Sequence, residues 1–256
     1  MPPMCLDSGN PVPFIDPLLL TCTRISTFDG NTGLTSATGF FLVRDRRLFL
    51  VTSRHVFIDA EGKHFPDRIT IEVHVNRNDM GESVMIGIPL YRGRLSLWRQ
   101  AVDSAGEVDV ALIEVDETAL PADAVYCAFT PEHIAVDEQL IEVGAPLLVI
   151  GFPLGFHDAL HHMPVVRRAS LASSYGLRFQ GMGYFLTDAR THRGTSGAPV
   201  VIRVPGAGAG HTGVSCRLLG IHSSRFDMVT RDPIEDEALG LNCAWYADIL
   251  LTLTEA

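Results

Sequence analysis

Arg193-Gly194-Thr195-Ser196-Gly197-Ala198-Pro199 runs straight into the apolar stretch Val200-Val201-Ile202. A serine flanked by glycines, ahead of a proline and a strand, sits where the backbone can turn tightly. Such a turn can aim several amide N–H groups at one point. Acyl transfer needs that arrangement: an exposed hydroxyl nucleophile, with donors for the developing oxyanion. An ordinary turn before a strand uses the same residue types. The rest of the chain has to decide between the two.

Upstream, the chain reads as short strands. Leu18 to Ser26 is a first strand, more evenly apolar than alternating. Thr38-Gly39-Phe40-Phe41-Leu42-Val43 and Leu48-Phe49-Leu50-Val51-Thr52 form a hairpin turned by Arg44-Asp45-Arg46-Arg47, which delivers the chain to Ser53-Arg54-His55. A histidine at a strand end is often structural, but imidazole is also the natural general base near neutral pH. Arg68 to Asn76 alternates, with Ile69, Ile71 and Val73 on one face and Thr70, Glu72 and His74 on the other. Val108-Asp109-Val110-Ala111-Leu112-Ile113 places a carboxylate inside an apolar strand. Burying it is costly without a partner, and a histidine is a suitable one.

The second half opens with Pro146 to Gly155, a buried strand ending in a Gly/Pro loop. His157, His161 and His162 follow. His157 and His161 are four apart, but no acidic or cysteine ligand joins them at a useful spacing and Pro164 closes the segment. They read as loop histidines, and no metal is expected. Met163–Ala172 and Tyr175–Gln180 read as a strand pair, followed by strands at Tyr184–Asp188, Ala198–Val204, Cys216–His222 and Leu239–Tyr246. A short helix is predicted at Pro131–Val136 and an amphipathic one at Ala247–Glu255. Pro205–Gly210 reads as a loop and Asp227–Glu237 as an acidic, solvent-facing stretch. The organisation expected is an arm over residues 1–17, a first β-barrel over 18–118, a connection over 119–144, and a second barrel with the C-terminal helix over 145–256. A cleft between two barrels is a natural place for a site.

Composition agrees. The chain has 256 residues, 46% of them hydrophobic, with 23 glycines and 15 prolines scattered along it, which suits many short strands. A formal net charge of −10 argues against nucleic acid or an anionic membrane as the main partner. The five cysteines form no Cys-x-x-Cys motif and read as reduced thiols, with a Cys216–Cys243 pair left open. No signal-type or membrane-spanning run is present in the sequence, so a cytoplasmic location is expected.

The order His55, Asp109, Ser196 resembles the trypsin-like (chymotrypsin-fold) serine peptidases, closest to the bacterial HtrA-like and small cytoplasmic trypsin-like groups. The matching pieces are Thr38–Phe41, Val51–Val56, Asp109–Leu112, Val149–Gly155, Thr187–Ala189 with Gly194–Pro199, and Leu219–Ser223. The resemblance implies an all-β fold of two six-stranded antiparallel barrels with the site between them. It implies a catalytic set of His55 (base and acid), Asp109 (orienting carboxylate) and Ser196 (nucleophile). It implies an oxyanion hole from the N–H groups of Gly194 and Ser196, and no metal or organic cofactor. The activity implied is that of a serine endopeptidase on protein or peptide substrates, with room for a regulatory protein partner.

Val56 stands where many secreted members carry a disulfide cysteine, in keeping with a reducing compartment. Thr195 stands where zymogen-activated members carry an aspartate, so that activation route is not expected. With the sequence running to Ala256 soon after the last barrel strand, no PDZ domain is expected. Arg190, six residues before Ser196, falls near the floor of the pocket for the P1 side chain. His222 matches a histidine that binds acidic or amide P1 groups in some members, so a Glu, Asp or Gln P1 is expected. Ser223, Ser224 and Arg225 would form the edge that pairs with substrate backbone. The rival reading is a trypsin-fold binding or sensor module held inactive. An α/β-hydrolase is disfavoured, since it would want Gly-x-Ser-x-Gly with both partners after the serine.

Overall fold

The computed structural model describes residues 14–134, 141–204, 214–225 and 240–255. The Pro205–Gly210 loop, the Asp227–Glu237 stretch, Cys5, the arm before Phe14 and the end of the predicted Pro131–Val136 helix lie outside these residues. So do the side chains of Ser224 and Arg225.

In the first half, β1 (Cys22–Asp29), β2 (Thr32–Arg44) and β3 (Arg47–Thr52) lead into a one-turn helix α1 (Arg54–Phe57). They are followed by β4 (Arg68–His74), β5 (Ser83–Pro89), the small ribbon β6 (Tyr91–Arg92) and β7 (Leu95–Ser96), β8 (Trp98–Asp103) and β9 (Gly106–Val115). The second half holds β10 (Pro146–Gly151), β11 (Val165–Ser170), β12 (Tyr184–Thr187), β13 (Pro199–Arg203), β14 (Cys216–Arg225), β15 (Asn242–Tyr246) and α2 (Ile249–Leu253).

Two curled antiparallel sheets result. The first runs β5-β4-β1-β2-β3-β9-β8 and the second β11-β10-β13-β14-β15-β12. This is the double β-barrel with a short C-terminal helix that the sequence predicts. The first sheet has seven strands rather than six, because residues 83–103 divide between its two ends. The β6–β7 ribbon bridges those ends, and Leu97 N donates to Leu90 O at 2.9 Å. In the second sheet an isolated bridge between Leu171 and Thr187 draws the ends together. The expected strand at Tyr175–Gln180 does not form. Tyr175 is instead a buried anchor whose hydroxyl donates to Leu219 O at 3.0 Å, with a short 3-10 turn at Phe179–Gly181 beyond it.

The core explains why several strands are evenly apolar. Ile25, Phe41, Leu50, Phe57, Ile71 and Ile113 fill the first barrel, while Leu147, Val149, Phe185, Val200 and Leu219 fill the second. A third cluster, including Phe40, Phe49, Val110, Phe129, Ile150 and Val201, fills the seam between them. Adjacent residues such as Phe40 and Phe41 therefore face two different cores. A strand buried on both faces loses its alternation. Helix α2 adds Leu250 and Leu253 to the seam. Its exposed carbonyls are met from the first barrel: Arg44 donates to Leu251 O and Arg99 to Leu253 O.

Cys22, Cys127, Cys216 and Cys243 form no disulfide, which closes the Cys216–Cys243 possibility. Burial pushes the Cys22 and Cys216 thiols up to about 12, so both are inert. No helix among the described residues is long and apolar enough to cross a membrane.

Candidate active site

His55 is the second residue of α1, directly after β3. The first N–H groups of a helix have no intrahelical acceptor, and Asp109 supplies one. His55 N donates to Asp109 Oδ1 at 2.9 Å, and His55 Nδ1 lies 2.7 Å from Asp109 Oδ2. The carboxylate thus grips the backbone and the ring of one residue at once, which leaves the imidazole little freedom. Asp109 sits on β9, on the same strand face as Ala111 and Ile113, at the mouth of the first barrel. Ser223 Oγ also donates to Asp109 Oδ2. The partner that a carboxylate in an apolar strand requires is therefore present in triplicate.

The Ser196 turn connects β12 to β13. Thr195 N donates to His192 O at 3.2 Å and Ala198 N to Thr195 O at 2.9 Å, which folds the turn on itself. Gly194 and Gly197 have φ of +88° and +84°, in the left-handed region. A Cβ on Gly197 would lie 2.2 Å from Thr38 O and from Thr52 Oγ1. Gly197 N donates to His222 O at 2.8 Å, and Ser53 Oγ donates to the same carbonyl at 3.2 Å.

Thr38, fully buried on β2 of the first barrel, locks this turn from the other side. Its N–H donates to Ser196 O at 3.0 Å and its hydroxyl to Gly194 O at 2.8 Å. The same hydroxyl accepts from Phe152 N at 3.0 Å, while Thr52 Oγ1 donates to Thr38 O at 2.8 Å. Leu154 N donates to Arg193 O at 2.5 Å. In a trans peptide the C=O and N–H point opposite ways, so the Gly194 N–H is turned away from the loop that holds Arg193 O. The N–H groups of Gly194 and Ser196 have no acceptor among the described residues.

Ser196 Oγ donates to Ser223 O at 3.0 Å, and no hydrogen bond joins it to His55 among the described residues. His55, Asp109 and Ser196 are thus gathered around Ser223, with the serine hydroxyl on a neighbouring carbonyl. Ser223 itself turns inward: its hydroxyl serves Asp109 and its carbonyl serves Ser196. Sequence reasoning placed it only on the outer edge. Thr38, Thr52 and Ser53 were missed as site-builders. Their signal is a hydroxyl set among buried apolar residues, within β2 for Thr38, at the end of β3 for Thr52 and directly after it for Ser53, where a polar group must have a partner.

The two histidines beside the serine differ electrostatically. Burial draws the His55 pKa down, but the hydrogen bond and charge of Asp109, with Asp59 farther off, outweigh it and leave it raised above 6.5. His222 is 2% exposed, and its Nδ1 is buried without a hydrogen-bond partner. Burial first, then the charge of His55, lowers it to about 4 against the pull of Asp109. It is neutral at neutral pH. Arg190 is exposed and makes no ion pair among the described residues. Asp188, two residues before it, accepts from Ser170 N.

The family described as trypsin-like peptidase domain matches residues 37–203, well over half of the chain. The chain belongs to the trypsin-like peptidase family. The HtrA-type protease AlgW, solved with a tripeptide, superposes with a TM-score of 0.53 at 15% identity, over 91% of this chain and 58% of that one. The serine endoprotease from Yersinia pestis gives 0.52 at 16% identity, over 94% and 66%. Identity this low carries the fold alone. The chain spans about three fifths to two thirds of the length of these structures. No curated protein matches the sequence.

Two outcomes follow for this trypsin-like chain. Thr38→Val keeps the volume but leaves Gly194 O and Phe152 N unpaired, and should lower unfolding stability by about 2–4 kcal/mol, read by urea denaturation. A loss below about 0.5 kcal/mol would show that the seam is not held there. In an NMR titration, His55 should titrate above 6.5 and His222 should stay neutral down to about pH 5. Asp109→Ala removes the hydrogen bond and charge that chiefly raise His55 and leaves burial opposed only by Asp59, so its pKa should fall below 6.5.

Proposed function

We propose that the protein is a serine endopeptidase acting through an acyl-enzyme on Ser196. The observation that carries this is the two-point grip of Asp109 on His55 (2.9 Å to its backbone N, 2.7 Å to Nδ1) beside a serine whose own amide, with that of Gly194, has no acceptor among the described residues. With Nδ1–H held by Asp109, the lone pair of neutral His55 lies on Nε2. Rotation of Ser196 about χ1 moves Oγ off Ser223 O and onto that nitrogen. Oγ then bonds to the substrate carbonyl carbon as its proton passes to His55. The oxyanion is received by Gly194 N–H and Ser196 N–H. Collapse breaks the C–N bond, and His55 returns the proton to the leaving amine. Water repeats the sequence to release the acid and restore Ser196.

The P1 side chain is proposed to be Glu, Asp or Gln. The neutral His222 ring, its Nδ1 without a hydrogen-bond partner among the described residues, and the cationic Arg190, without an ion pair among them, support this, because an acidic or amide group can accept from both. The free thiols support a reducing, cytoplasmic setting. One observation favours the rival reading of a restrained binding or sensor module regulated by a partner: the hydrogen bond of Ser196 Oγ to Ser223 O rather than to His55. Hydroxyl geometry in substrate-free sites is often loose, which leaves the peptidase reading ahead.

A fluorophosphonate probe should label the protein and spare Ser196→Ala. No labelling of the parent chain under any condition would favour the binding module. Labelling should fall as pH drops through the raised pKa of His55, because the base must be neutral. On a P1 peptide panel, cleavage should be strongest after Glu, Asp or Gln and reduced at least tenfold in Arg190→Ala for the acidic members. Best cleavage after Lys or Arg would overturn the pocket assignment.

A further inference from the structure

The segment after β10 was expected to carry loop histidines without acidic company. The fold supplies that company from the other barrel. Glu72 of β4 lies beside His157 and His162, and one ligand atom from each falls within 4.8 Å of the others. We propose that Glu72, His157 and His162 bind a zinc-class divalent cation that staples the first barrel to the loop following β10.

Each residue is prepared for the role. His157 Nδ1 lies 2.6 Å from Gly155 O, which can only accept, so the ring proton is on Nδ1 and the lone pair on Nε2. A backbone carbonyl fixing the far nitrogen is the usual support of a metal-binding imidazole. Glu72 is oriented by Arg24 at 3.0 Å on Oε2 and by Ser83 Oγ at 2.9 Å on Oε1. His162 Nδ1 stands 2.8 Å from Glu72 Oε1, but off the line a hydrogen bond needs, and it is buried with no hydrogen-bond partner. A buried polar atom in that state is costly, and a metal would satisfy it. The His157 and His162 rings are stacked, with centroids 6.2 Å apart.

Two imidazoles and one carboxylate suit zinc and its transition-metal neighbours rather than calcium or magnesium, which want oxygen alone. Around a tetrahedral ion the ligand atoms would sit about 3.4 Å apart. The cluster therefore needs only a small contraction on one side and a small opening between His162 and Glu72. The i,i+4 pair that the sequence offers is not the one used. His161 is half-exposed and paired with Asp158 at 2.7 Å, while His162, five residues after His157, turns inward with φ of +56°.

The test is calorimetric titration of the chelator-stripped full chain with zinc, beside the visible spectrum of its cobalt form. One equivalent should bind, with affinity falling at least tenfold in His157→Gln and in His162→Gln and unchanged in His161→Ala. The cobalt form should show d–d absorption from nitrogen and oxygen ligands without a thiolate charge-transfer band. The proposal is overturned if the folded parent chain takes up no zinc, which would make Glu72–His162 a plain ion pair. It is also overturned if both glutamine variants bind as tightly as the parent, or if a thiolate band shows that a cysteine holds the metal. The cobalt spectrum is read on the parent chain, so it decides even if a variant fails to fold.

Discussion

The shape of the serine turn depends on one buried hydroxyl, that of Thr38. It cannot reach water, so it must find its partners inside. It donates to Gly194 O and accepts from Phe152 N, while the Thr38 backbone holds Ser196 O and Thr52 Oγ1. Two of these four connections, to Gly194 O and Ser196 O, tie a turn of the second barrel to one residue of the first. The glycines nearby follow from this. A Cβ on Gly151 would lie 2.6 Å from Thr38 Oγ1, and one on Gly197 would meet Thr38 O. Neither position can carry a side chain while Thr38 keeps its partners.

That lock carries over into chemistry. With Gly194 O tied to Thr38 and Arg193 O tied to Leu154 N, the carbonyls on both sides of Gly194 are occupied. The amide between them is left to face the serine side. Preorganised donors of this kind need no rearrangement as charge develops, which is why fixed amides are effective at an oxyanion. The unpaired backbone groups have a cost, and the network around Thr38 offsets it.

The fold and the three residues gathered around Ser223 were legible in sequence because each of the three sits at a local signal. His55 follows a buried strand, Asp109 breaks an apolar one, and Ser196 lies between glycines. What was illegible depends on approach across the fold. Glu72 reads as the outer face of an alternating strand, and nothing in its neighbourhood announces histidines about ninety residues later. Ser223 reads as a strand residue at an edge, and only the irregular register between His222 and Arg225 turns it toward Asp109. Tyr175–Gln180 shows a strand-like pattern, yet Tyr175 is spent as an anchor: its hydroxyl reaches Leu219 O, and its carbonyl accepts from Tyr246 Oη at 2.5 Å. Tertiary contacts outweigh local propensity there.

The two imidazoles close to Ser196 share one electrostatic field and respond to it in opposite directions. Asp109 bonds His55 directly, so the imidazolium is favoured on that ring. His222 feels the same carboxylate only at a distance, without a bond to it, and burial dominates. If His222 were charged as well, it would repel the proton that His55 accepts in the proposed mechanism. Keeping His222 buried and neutral therefore reserves the positive charge for the ring that Asp109 orients. It also leaves His222 with donor and acceptor capacity in the same ring, which an imidazolium lacks. Under the proposed function, the field that would suit His55 to move a proton would also suit His222 to recognise an uncharged amide or to share a hydrogen bond with a carboxylate.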